Sequence, residues 1–161
     1  MTDRLMAASV LSDTTSKERE EVLEDFYNRF KEYQLVIDKW FSIQAMALRP
    51  QVLDDILQLE NHHDFNFSNP NRVRSLFGAF AMNNPVWFHS PDSRGYDFLK
   101  EGIIKLNTKN PQIAARLLTP MKEWRKYTPD RQEKMKSVLE EIANVPDISN
   151  DVYEIVSKSL A

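Results

Sequence analysis

An all-α fold of stacked helix pairs is predicted by three features of the sequence. Glycine is scarce: three in 161 residues, against a usual ~7%, and hairpins and bulges depend on it. Prolines recur at 50, 70, 91, 111 and 129, most of them behind a capping-type residue and ahead of an apolar segment of helical period. Two successive segments form a unit of about 40 residues, a length typical of helix-pair repeats.

The elements follow in order. Met1 to Leu11 is a short apolar-periodic stretch ending in SDTTSKE, where Thr15 and Glu18 have capping-box spacing. The helix beyond runs to about Lys31, with a core stripe of Val22, Leu23, Phe26, Tyr27 and Phe30. Tyr33 to Ala47 is apolar around much of its circumference, which predicts deep packing. Helix starts then stand at RPQ (Arg49), NPN (Asn69), SPD (Ser90), NPQ (Asn110) and TPD (Thr128). After Asn69, the residues Val73, Leu76, Phe77 and Phe80 share one helical face; after Asn110, Ile113, Leu117 and Met121 do. Helices over Pro129 to about Ala143 and Ser149 to Leu160 close the chain. The regular interval favours a HEAT- or armadillo-like α-solenoid over a closed bundle, although any all-α chain with short loops approaches it. The expectation is one helical region over 1–161.

Composition removes several function classes. A net charge of −3, with basic residues dispersed among acids, gives no electrostatic footprint for nucleic acid. The absence of cysteine rules out disulfides and thiolate metal sites, and fits a reducing compartment. Acids run through the first 30 residues without a hydrophobic signal-peptide core, and no apolar run reaches the roughly 18 residues of a membrane span.

Candidate chemistry is sparse. His62, His63 and Asp64 adjoin, but adjacent histidines on a helix point ~100° apart and lack the spacing that puts two imidazoles on one face. Hydrogen bonding is the expected role, as for His89 in a loop. Glu20, Glu21, Glu24 and Asp25 read as a solvated face with no acid–base pair. The arginines stand out. Arg72 and Arg74 occupy the opening turns of a helix, where the dipole favours acids and each cation costs ~0.3–1 kcal/mol unless answered. Arg74 lies beside the core stripe, next to the small Gly78 and Ala81, and Arg116 lies similarly in the next Asn-Pro helix, 42 residues on. If equivalent helices of neighbouring repeats line one face, the two guanidinium groups look into a common groove and suit a carboxylate. The other reading is a pair of salt bridges to the chain's own acids.

The runs FSNPNRVRSLFGAFAMNNPVWFH, GYDFL, NPQIAARLLTPMKEWRKY, RQEKM, LVIDKWFSIQA and DVYEIVSKSLA resemble the C-terminal helical domain of bacterial aminopeptidase N. The resemblance covers essentially the whole chain. It implies the terminal part of a larger zinc metallopeptidase that removes N-terminal residues from peptides, with Met1 at or just before an internal helix. The family's H-E-x-x-H zinc motif and its G-A-M-E-N substrate motif are absent; GAFAMNN, Gly78 to Asn84, lacks the latter's glutamate. No cofactor is therefore expected in this chain, zinc belonging to the parent enzyme. Expected partners are the catalytic and other domains of that parent, and peptide substrates. By the same resemblance the domain caps the catalytic cavity, and Arg74 and Arg116 fall where family members place arginines that hold a peptide's C-terminal carboxylate. A free-standing helical-repeat adaptor that binds peptides or proteins is the alternative.

Overall fold

The computed structural model describes residues 1–161 and is helical throughout. It divides into two compact units, Met1–Trp87 and Phe88–Ala161, each built from antiparallel helix pairs of the solenoid type.

In the first unit α1 (Thr2–Ser12) pairs with α2 (Lys17–Phe30), and both pack on α3 (Gln34–Ala45). The start of α2 differs from the capping-box expectation: Ser16, not Thr15, is the first flanking residue. The Thr14 hydroxyl instead holds the carbonyl of Leu11 at 2.8 Å, closing the turn out of α1. α3 is the unit's centre and also meets α4 (Val52–Glu60) and the segment opening at Pro70. It is deeply packed from Ile37 onward, as its composition suggests. Ile37, Trp40, Phe41 and Ile43 are buried, whereas Tyr33 and Leu35 face solvent at its start. The Trp40 indole N–H donates to the carbonyl of Leu23, 2.9 Å away, fixing α3 against α2.

The segment after Asn69 is the unit's most informative stretch. Asn69 Oδ1 accepts from the N–H groups of Asn71 and Arg72 at 3.0 and 3.3 Å, and Pro70 occupies the first turn. The predicted stripe of Val73, Leu76, Phe77 and Phe80 is fully buried. The helix is not uniform, however. α5 (Pro70–Val73) gives way to a π-helical stretch, Arg74–Gly78, before α6 (Ala79–Asn83) resumes the ordinary winding. Asn84, fully buried, then donates to the carbonyls of Ala45 (3.1 Å) and Ala47 (3.0 Å), satisfying oxygens that α3 leaves open at its C-terminus. A short α7 (Pro85–Phe88) follows.

The second unit consists of α8 (Arg94–Asn107), α9 (Pro111–Leu117), α10 (Pro129–Ala143) and α11 (Asn150–Leu160). Ser93, not Ser90, flanks the start of α8, in a left-handed conformation (φ 63°). Gly95 is required there, because a Cβ at that position would stand 2.4 Å from the carbonyl oxygen of Phe88. Asn110 caps α9 through Ile113 N–H (3.1 Å), but the helix ends at Leu117. The expected stripe residue Met121 is buried from a 3₁₀ turn, Thr119–Met121. The start of α11 is as predicted, with Ser149 Oγ accepting from Val152 N–H. The Asn107 side chain ties α8 to the α10–α11 loop through the Asp147 carbonyl and the Ser149 N–H.

The repeat length shows in these bonds. Those from Arg72 to Gln34, Asn84 to Ala45, Asn107 to Asp147 and Arg131 to His89 span 38, 39, 40 and 42 residues. One helix pair reaches the next at the interval the prolines marked. No helix is long and apolar enough to cross a membrane.

Candidate functional site

The arginines near Asn69 separate sharply. Arg72, 1% exposed, points into the first unit. One guanidinium nitrogen donates to Gln34 Oε1 at 2.7 Å, Nε lies 3.4 Å from Asp38 Oδ1, and the plane stacks 4.9 Å over the ring of Phe41. Burial pushes the Asp38 carboxyl above its usual range while Arg72 pulls it back. Two of the arginine's three nitrogens, Nε and Nη1, lack a hydrogen-bond partner. Arg72 is therefore a structural cation answered by the chain's own acid.

Arg74 is different. It opens the π-helical stretch, is exposed, and its guanidinium reaches only Asn71 Oδ1, at 3.2 Å. Its stem lies alongside Gly78, where an added Cβ would stand 3.8 Å from Arg74 Cβ and meet nothing else. Gly78 and Ala81, the small residues beside Arg74, are themselves buried. π-Helical turns inside α-helices occur frequently at functional sites. Arg116, in the second unit, is exposed near the end of α9; its carbonyl accepts the Thr119 hydroxyl at 2.8 Å and its guanidinium meets no carboxylate of the chain. In contrast, Arg4, Arg19, Arg29, Arg49 and Arg72 each reach an aspartate.

The histidine cluster is arranged differently from the helical geometry assumed for it. His62, His63 and Asp64 follow the end of α4 in a turn, so the two imidazoles stack, with centroids 4.3 Å apart. Ligand-type atoms of the three lie within 4.8 Å of one another, and one on each residue is hydrogen-bonded. The Tyr27 hydroxyl donates to Asp64 Oδ2 at 2.6 Å and meets His63 Nε2 at 2.8 Å, and His62 Nδ1 accepts from Asp64 N–H at 3.2 Å. Burial, then this carboxylate, pushes the Tyr27 phenol up to about 12, so it stays a hydrogen-bond donor. Against the H-E-x-x-H pattern of a catalytic zinc centre, this trio lacks the spacing.

His89 stands in a turn after α7, as expected, and is buried. It shares a 2.8 Å hydrogen bond with the Tyr96 hydroxyl, and its ring lies 4.4 Å from that of Tyr127. Burial, then the Arg131 charge, lowers its pKa. Sequence reasoning also missed the Arg19–Asp55–Arg49 cluster, where Asp55 Oδ2 takes both arginines at 3.0 and 3.1 Å. Its only sequence signal was three dispersed charges that the helix packing brings together.

Comparison with known proteins bears on the whole chain. The family described as a domain of unknown function (DUF3458_C) with ARM repeats matches residues 1–161. The chain belongs to that family. Aminopeptidase N of Escherichia coli (strain K12) is 41% identical over 161 residues, covering 100% of this chain and 18% of that protein. Aminopeptidase N of Haemophilus influenzae is 42% identical over 160 residues, again 18% of its length. Among solved structures, Legionella pneumophila aminopeptidase A in complex with aspartic acid matches with a TM-score of 0.93 at 37% identity, over 99% of this chain and 19% of that one. The chain thus corresponds to the C-terminal helical domain of the aminopeptidase N type, and spans under a fifth of the length of these relatives.

Proposed function

We propose that this chain is the non-catalytic C-terminal portion of a zinc aminopeptidase that removes N-terminal residues from peptides. In that role it caps the cavity beside the active site, its partners being the catalytic and other domains of the same enzyme, in the cytoplasm. Zinc, held elsewhere in the parent, would supply the activated water for hydrolysis. The residues here bind and orient. We assign Arg74 and Arg116 to the C-terminal carboxylate of a bound peptide.

The observation that carries this assignment is the contrast among arginines. Five of them reach aspartates of the chain and Arg125 and Arg131 donate to backbone carbonyls, whereas the exposed guanidinium groups of Arg74 and Arg116 meet neither. Such a fork can donate two parallel bonds to a carboxylate. Activity assays on the natural polypeptide and on the isolated chain test the reading. The former is expected to hydrolyse an alanyl chromogenic amide and to lose that activity on zinc chelation, the latter to be inert. Turnover by the metal-free isolated chain would refute it.

A further inference from the structure

The turn that follows α4 gathers more ligand chemistry than its hydrogen bonds use. His62, His63 and Asp64 present two imidazoles and a carboxylate, with ligand-type atoms of all three within 4.8 Å of one another. On a continuous helix the two rings would point ~100° apart. The turn stacks them instead, 4.3 Å between centroids and 28° between planes. His63 Nε2 and Asp64 Oδ2 stand 3.8 Å apart. Two ligands of a tetrahedral ion with bonds of about 2.0–2.1 Å lie roughly 3.3 Å apart, so this pair closes on one ion with a shift of about half an ångström.

The surroundings permit that shift. The His63 side chain is 72% exposed and that of Asp64 24%, so neither is held by a packed core. The Tyr27 hydroxyl donates to Asp64 Oδ2, which makes His63 Nε2 the donor to the hydroxyl oxygen. An ion at Nε2 takes that nitrogen's lone pair, and the ring proton moves to Nδ1. Nδ1 of His62 already directs a lone pair into the turn, since it accepts from the N–H of Asp64 at 3.2 Å. Tyr27 keeps its 2.6 Å bond to the carboxylate, as donors behind a ligating carboxylate do. Two nitrogens and one oxygen suit zinc, nickel or copper, whereas magnesium and calcium take oxygen ligands.

We propose that His62, His63 and Asp64 form a site for a divalent transition ion of the zinc class, with water completing its coordination. A bound ion stabilises the folded form by mass action and pins the turn to α2 through Tyr27. The proposal does not depend on peptide binding by Arg74 or Arg116, nor on hydrolysis. Calorimetric titration of the tag-free protein with zinc chloride at neutral pH tests it, with magnesium chloride as the comparison. One zinc ion per chain is expected to bind, and no magnesium. His63→Gln, Asp64→Asn and His62→Phe, the last of which keeps a stacked ring, are each expected to weaken zinc binding about tenfold or more, with helical circular dichroism unchanged. No zinc uptake at millimolar concentration overturns the proposal. So does uptake that any one of the three folded variants retains in full, because the ion then sits on a lone surface group and not on the trio.

Discussion

The helices that start at Asn69-Pro70 and Asn110-Pro111 begin alike and then diverge. Both asparagines cap through their side chains, and both helices bury an apolar stripe. Counted from the caps, Arg72 and Ile113 hold the same position, and both are buried. One helix places a charge where the other places a hydrocarbon. The difference lies in the neighbours: α3 offers Gln34 and Asp38 to Arg72. Burial at that position follows from helical geometry, while tolerance of a charge there depends on what the facing helix supplies.

The largest effect expected comes from breaking that match. Arg72→Met leaves Asp38 without its cation and is predicted to cost about 3–5 kcal/mol in urea unfolding. Adding Asp38→Leu is predicted to restore most of the loss, because an apolar pair can replace a buried ion pair. If the double variant is as unstable as the single one, the contrast with Ile113 is not one of neighbours. Next comes Asn84→Ala, which strips both bonds from the end of α3 and should cost about 2 kcal/mol. Removing either cap, Asn69→Ala or Asn110→Ala, should cost about 1 kcal/mol in the unit that contains it. Asn69 should show the larger loss, since it holds two N–H groups.

Acid provides a further comparison. Around His89 stand Tyr96, Tyr127, Phe88 and Arg131, with no carboxylate among them. Its folded-state pKa is below the ordinary 6.5. The unfolded chain therefore takes up the proton first, and the stability of the second unit is full above pH 6.5 and falls as pH drops toward the folded value. Replacing His89 with phenylalanine should flatten that part of the pH profile. An unchanged slope would assign it to other groups. The smallest effect is expected at the surface: Arg74→Ala and Arg116→Ala should each change stability by less than about 0.5 kcal/mol.

Much of the fold was legible in the sequence because helix starts are local. Asn-Pro, and the serine ahead of Asn150, act within one turn, and the apolar stripes at 73–80 and 113–121 declare their buried faces by period alone. Helix continuation was not legible. The π-helical stretch at Arg74–Gly78 and the early end of α9 are not marked by a local breaker in the sequence, apart from Pro120 beyond Leu117. The inward turn of Arg72 depends on α3, some 38 residues away. At the candidate site, the choice of Arg74 and Arg116 over Arg72 rests on register and resemblance. The Tyr27–His63–Asp64 contacts were hidden because His62 to Asp64 leave the helix, and periodicity has no force in a turn.

The central claim is that the inward arginine serves the fold and the outward pair serves a ligand's carboxylate. Steady-state kinetics of the natural polypeptide on a tripeptide and on its C-terminal amide, with Arg74→Ala and Arg116→Ala, test it most directly. Losing charge-assisted bonds should raise KM for the free acid roughly tenfold or more and leave the amide unaffected. Equal changes for acid and amide, or no change for either, would contradict it.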